Sequence, residues 1–226
     1  MMYRSVSVIA CLFMVSPSMS VAQAGNPGQM ADAYAAGAKS NAQLMQKYTW
    51  KMRVQLTYKG EDKPAQLYQM NYVNGQLQKT LLSAPSAETG RKHGIKHRIK
   101  EKKIDEVKAW AAQLTDLVKR YMAPTPGNMM DFYSSATFSP VPSGNVRATD
   151  SGFLQPGDEA TYWIDPATKQ PVRYAFSTSL QGDPVNCSVQ FGQVPGGPQY
   201  ASTISISVPA KEVVATITNF NYQLNQ

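Results

Sequence analysis

Two stretches of alternating apolar and polar residues, 48–59 and 66–73, predict neighbouring β-strands. Asn74-Gly75 follows the second stretch and favours a hairpin, because both residues accept a positive φ. A third strand, residues 77–82, then completes an antiparallel meander. On the first two strands one face is apolar, and it carries Trp50, Met52, Val54, Leu56, Tyr68, Met70 and Tyr72.

Helical periodicity replaces alternation in two regions. Residues 29–47 are rich in alanine, and residues 104–122 carry an apolar stripe with acidic residues in the first turn and basic residues in the last. Pro124 and Pro126 end the second helix. A short apolar segment, residues 128–133, follows it and contains Met129, Met130 and Phe132.

From residue 134 onward the chain alternates between short strands and turns, with no helix to connect parallel strands. The expected strands cover residues 136–139, 145–149, 159–164, 172–178, 185–191, 200–208 and 214–222. The predicted fold class is therefore α+β: a large curved antiparallel sheet, an open half-barrel, covered by two helices.

The first 24 residues have the pattern of an export signal. Arg4 precedes a short apolar run at residues 6–15, and Ala22-Gln23-Ala24 is a small-x-small cleavage site. The alternatives are an uncleaved N-terminal anchor and cleavage before Cys11, as in a lipoprotein, although only six residues separate Arg4 from Cys11. We expect residues 1–24 to be a signal peptide, residues 25–226 a single domain, and the location periplasmic or otherwise exported.

Composition adds two constraints. The formal charge is +7 for the whole chain, which favours either an anionic partner or simple solubility. Beyond the signal, Cys187 is the one cysteine, so no disulfide forms within the domain. Its strand neighbours Val185 and Val189 favour a buried, inert thiol.

Residues 163–173, WIDPATKQPVR, resemble the strand–turn–strand segment of the LolA-like periplasmic lipoprotein-carrier superfamily. The order of elements over residues 29–224 is similar as well, whereas the motif covers about eleven residues and is partly ordinary turn chemistry of Asp165 and Pro166. The resemblance implies an open half-barrel covered by helices that binds lipids or lipoproteins in a hydrophobic cavity. No ligand-contacting position of that family matches a particular residue here.

The apolar strand faces have two interpretations: an ordinary core filled by the helices, or a cavity for a hydrophobic molecule. In the second interpretation the ligand is a lipid or a lipoprotein acyl chain, and the helix 104–122 and the segment 128–133 form a lid. The lining residues would be Trp50, Met52, Val54, Leu56, Tyr68, Met70, Tyr72, Met129, Met130 and Phe132.

A basic run at residues 91–103 supports a different function, an interaction module that docks on an envelope partner or an anionic membrane surface. A solvated loop and helix start would explain the run equally. Few aromatic residues interleave with it, so we expect no nucleic acid as a partner. The expected surface contacts are Lys96, Arg98, Lys100, Lys102 and Lys103.

Catalytic and metal chemistry find little support. His93 and His97 are spaced i, i+4, but Gly94 weakens a helix there and the surrounding Lys and Arg residues repel a cation. No G-x-S-x-G elbow occurs. We expect no metal, no cofactor and no enzymatic activity; the sequence leaves the oligomeric state open.

Overall fold

The computed structural model of the chain describes residues 26–83 and 95–225, with only the backbone of residues 95–105. The predicted signal peptide and His93 lie outside these ranges. The described part contains three helices: α1 (Pro27–Met45), α2 (Ile95–Met122) and α3 (Pro126–Ser135). The predicted helix 104–122 therefore begins nine residues earlier than expected, and the segment 128–133 is a helix of its own.

The strands follow the alternating pattern closely, and residues 66–73 match it at both ends. They are β1 (Tyr48–Tyr58), β2 (Glu61–Asp62), β3 (Gln66–Val73), β4 (Gln76–Ser83), β5 (Thr137–Pro140), β6 (Val146–Ser151), β7 (Glu159–Ile164), β8 (Pro171–Leu180), β9 (Asp183–Gln193), β10 (Gln199–Val208) and β11 (Val213–Leu224). The short β2 is an addition, since the sequence predicts no strand between residues 59 and 66.

All eleven strands belong to one antiparallel sheet in the order β4-β3-β1-β11-β10-β9-β8-β7-β6-β5, with β2 pairing to β1 alone. The sheet is open, because β4 and β5 form separate edges. This confirms the predicted α+β class with an open antiparallel sheet. The last strand, β11, lies between β1 and β10 and so joins the N-terminal meander to the C-terminal one.

The turn in the motif 163–173 forms as its chemistry predicts. The Asp165 carboxylate accepts hydrogen bonds from the backbone N–H groups of Ala167 and Thr168 at 2.7 and 3.0 Å. These bonds hold the pKa of Asp165 below its ordinary value, chiefly through the Thr168 N–H. The turn connects β7 to β8, whose inward residues belong to the core.

The core lies between the helices and one half of the sheet. The C-terminal part of α2 and the middle of α3 pack against the inward side chains of β7 to β10. The largest members are Leu117, Tyr121, Met129, Phe132, Tyr162, Tyr174, Phe176, Val189 and Val208. Cys187 is 3% exposed in this core, which confirms its predicted burial.

Candidate functional site

The face of the sheet that carries the core continues without a break into the other half. Directly opposed residues in an antiparallel pair point to the same face. Val189 lies opposite Ile204, Ile204 opposite Ile217, and Ile217 opposite Val54. The apolar side chains predicted on the two N-terminal strands therefore share one face, the inner face, with the core.

Several side chains on the inner face become exposed away from the helices. Val189 on β9 is 0% exposed and Ile206 on β10 is 8% exposed, whereas Leu56 on β1 is 39% exposed and Leu77 on the edge strand β4 is 50% exposed. Neighbouring apolar side chains that remain exposed to solvent are typical of a binding surface. The described helices thus cover only half of the inner face.

We call the exposed half of the inner face the open wall. It combines four neighbouring strands, because β11 inserts between the two meanders. The strand registers place on it Leu77, Lys79 and Leu81 of β4; Tyr68, Met70 and Tyr72 of β3; Met52, Val54, Leu56 and Tyr58 of β1; and Val213, Ala215 and Ile217 of β11.

Six of the predicted lining residues belong to this surface and Trp50 lies at its end, and they differ in accessibility. Met52, Val54 and Tyr68 are partly exposed, whereas Trp50 and Met70 are 6% and 5% exposed. The open wall therefore has an accessible middle and a closed end.

Aromatic rings form the closed end. The indole of Trp50 stacks on Tyr222 with the ring centroids 5.5 Å apart. The Tyr72 ring also packs against this indole, with the centroids 6.0 Å apart. The Trp50 N–H donates to Asn219 Oδ1 at 3.2 Å. Burial, followed by the neighbouring Tyr200 and Tyr72, raises the pKa of Tyr222. This end of the wall is consequently uncharged at neutral pH.

The residues predicted to form a lid lie elsewhere. Met129 and Phe132 are 0% exposed and belong to the core over β7 to β10, where the Phe132 ring meets Tyr162 edge-on at 5.1 Å. Met130, on the same helix, is 46% exposed. In this structure Met129 and Phe132 therefore serve the core, and they offer no free surface to a ligand.

The predicted basic contacts lie at the start of α2. Lys96, Arg98, Lys100, Lys102 and Lys103 are part of its helical backbone, as is His97, and their side chains are outside the described residues. Surface docking through this segment therefore stays a prediction.

Sequence reasoning missed the contributions of β4 and β11 to this surface. Leu77, Lys79 and Leu81 alternate in residues 77–82, so the period-2 signal was present. Their position beside Tyr68 and Met70 required the register of the hairpin. The place of Ala215 and Ile217 required the strand order, which no local pattern encodes.

A second concave region lies mainly on the opposite face. A shallow depression of about 340 Å³ follows β7 to β10 and is lined largely by short polar side chains, including Thr161, Ser177, Ser188 and Ser205. None of the described side chains that line this depression is among the exposed large apolar residues. The open wall therefore remains the stronger candidate for a hydrophobic ligand.

Within residues 26–83 and 95–225, no cluster of three or more His, Cys, Asp or Glu side chains is arranged to hold a metal ion. None of the helices in that part of the chain combines the length and apolar character needed to cross a bilayer.

Comparison with known proteins gives remote structural likenesses. No protein-family model and no curated protein matches the chain. A solved outer-membrane lipoprotein-sorting protein domain from Vibrio parahaemolyticus is similar, with 9% identity, a TM-score of 0.40, and coverage of 87% of this chain and 94% of that one.

Two other solved structures are similar to a comparable degree. A LolA superfamily protein from Nitrosomonas europaea has 9% identity, a TM-score of 0.34, and coverage of 84% of this chain and 94% of that one. A DUF1329 family protein from Desulfovibrio piger has 6% identity, a TM-score of 0.36, and coverage of 88% and 92%. At this distance the functional argument depends on the chain's own surface.

Proposed function

We propose that this protein is exported and that its open wall binds the apolar chain of a lipid or of a lipoprotein. The observation that carries the proposal is the exposure of Leu56, Leu77 and Leu81, at 39%, 50% and 46%, on a face that continues from the core. The export signal expected at residues 1–24 supports an envelope location, where such chains are abundant.

The shape and chemistry of the wall suit a flexible chain. Three spacings of about 4.8 Å separate β4 from β11, so the apolar surface extends about 14 Å across the strands. Met52 adds a partly exposed, flexible thioether side chain that adjusts to different ligands. Acyl carbons lying on this surface would remove apolar area of both the ligand and the protein from water. This burial contributes a favourable free energy of about 25 cal/mol per Å².

A matched pair of variants tests this proposal. Leu56 faces inward from β1 and is 39% exposed, whereas Val214 on the adjacent β11 faces outward and is 37% exposed. Leu56→Asn places an amide where the chain would lie, and Val214→Asn places the same amide on the opposite face. We expect Leu56→Asn to weaken binding by about 1–2 kcal/mol, roughly five- to thirtyfold in Kd.

The measurement is calorimetric titration of the mature protein with dodecanol, together with native mass spectrometry of gently purified protein. The proposal requires uptake by the wild type and by Val214→Asn, with clear weakening in Leu56→Asn and similar urea midpoints for the two variants. Equal binding by both variants, or no uptake by the wild type, would contradict it. Binding to anionic vesicles without uptake would favour docking through residues 91–103 instead.

A further inference from the structure

Lys79 places a positive charge at one edge of the otherwise apolar open wall. Among the described residues of β4, β3, β1 and β11, it is the one charged side chain at an inner-face position. It lies opposite Met70 in the strand register, and Leu77 and Leu81 flank it at i−2 and i+2 on its own strand. A cation thus sits among apolar side chains at the edge of the apolar surface.

The ammonium group of Lys79 is held in place by an aromatic ring. It lies 3.8 Å from the centroid of the Tyr68 ring, within the range of a cation–π contact. The Tyr68 hydroxyl donates to Gln66 Oε1 at 2.5 Å, which restrains the ring. The lysine stem therefore follows the wall instead of extending freely into solvent.

Lys79 has no acidic partner within the described ranges. Other lysines in this part of the chain do form ion pairs, as Lys63 does with Glu61, Lys119 with Asp116 and Lys211 with Asp183. An exposed cation that already rests on a ring, beside apolar side chains, complements an anion that is directly attached to an apolar chain.

Resting on the proposed function, we propose that the ligand is a single-chain amphiphile with a carboxylate head, of the fatty-acid class. Lys79 binds the carboxylate at the β4 edge with its ammonium over Tyr68, and the chain crosses β3 and β1 obliquely past Val54 toward Ile217 on β11, away from the closed end at Trp50. Leu77 and Leu81 flank Lys79 on β4 and Met70 lies opposite it in the strand register, so a carboxylate bound to the ammonium keeps its attached chain beside apolar side chains.

The test compares dodecanoate with dodecanol on three forms of the protein. Lys79→Met keeps an apolar stem and removes the charge. Lys51→Met is the control, because Lys51 lies opposite Gln69 and Phe220 on the outer face of β1. We expect the wild type and Lys51→Met to bind dodecanoate about tenfold more tightly than dodecanol, and Lys79→Met to bind both equally.

The outcomes separate the two proposals. Dodecanol binding with no preference for dodecanoate in the wild type, or a preference that survives in Lys79→Met, overturns the assignment of Lys79 and leaves the proposed function standing. Failure of both ligands to bind overturns the proposed function, and this inference with it. Vesicles of phosphatidylglycerol are the third probe: if they bind through Lys79 more tightly than dodecanoate does, a membrane lipid is the ligand and the single-chain assignment is overturned.

Discussion

Removal of one hydroxyl from Tyr121 tests how α2 is fixed over the core. Tyr121 is 1% exposed, and its hydroxyl donates to the carboxylate of Asp158 and lies 2.9 Å from Thr178 Oγ1. Its ring stacks on Phe176 with the centroids 4.3 Å apart. Tyr121→Phe keeps this stacking and removes only the hydrogen bonds.

The expected cost follows from the charge of the acceptor. The same Asp158 oxygen also accepts from the backbone N–H groups of Leu154 and Gln155, both at 3.0 Å, so the carboxylate keeps two donors after the substitution. A hydrogen bond to a charged group contributes about 1.5–3 kcal/mol. We expect Tyr121→Phe to lower the free energy of unfolding by that amount, which corresponds to roughly 3–12 °C in Tm.

Urea unfolding followed by tryptophan fluorescence measures this change, and a double-mutant cycle with Asp158→Asn isolates the pair. Thr178→Val is the comparison, because it leaves the Tyr121–Asp158 bond in place and removes two neutral hydrogen bonds, with the Tyr121 hydroxyl and with Gln155 Nε2, each worth about 0.5–1.5 kcal/mol. A loss below about 0.5 kcal/mol in Tyr121→Phe, or additive effects in the cycle, would refute the claim that this buried pair fastens α2 to the sheet.

Two further predictions concern titration and reactivity. Burial raises the pKa of both Tyr121 and Tyr133 to about 12, above the ordinary value of 10, so their stabilising contribution is complete below pH 10 and is lost as pH rises toward 12. Tyr133→Phe should therefore reduce the fall in stability between pH 10 and 12, and an unchanged alkaline profile would contradict this. Burial likewise raises the pKa of the Cys187 thiol to about 12, so iodoacetamide should label it only on unfolding; rapid labelling of the native protein would count against that.

Local pattern predicted most of the elements because the strands have one polar and one apolar face. Tyr68, Met70 and Tyr72 alternate with Gln69 and Asn71, and β3 has the predicted bounds, Gln66–Val73. The predicted start of α2 is nine residues too late because the density of positive charge in residues 95–103 is also typical of a solvated loop. The lysine and arginine residues there are nevertheless compatible with a helix.

The strand order explains what the sequence could not predict about the site. Trp50, Met129 and Phe132 were expected to line one interior, because each lies on an apolar segment. The insertion of β11 beside β1 separates them: Met129 and Phe132 pack over β7 to β10, and Trp50 packs against Tyr222 on β11. Long-range pairing between residues 48 and 224 leaves no signal in either segment alone.

The location of a bound chain tests the central claim most directly. Crystals grown with 12-bromododecanoate would show the position of the chain end by the anomalous signal of bromine. With the carboxylate on Lys79, the account predicts bromine over the inner face near Val54 and Ile217, about 14 Å across the strands from β4 and displaced along them away from Trp50. Bromine in the depression lined by Thr161 and Ser188, or no ordered bromine on the inner face, would contradict it.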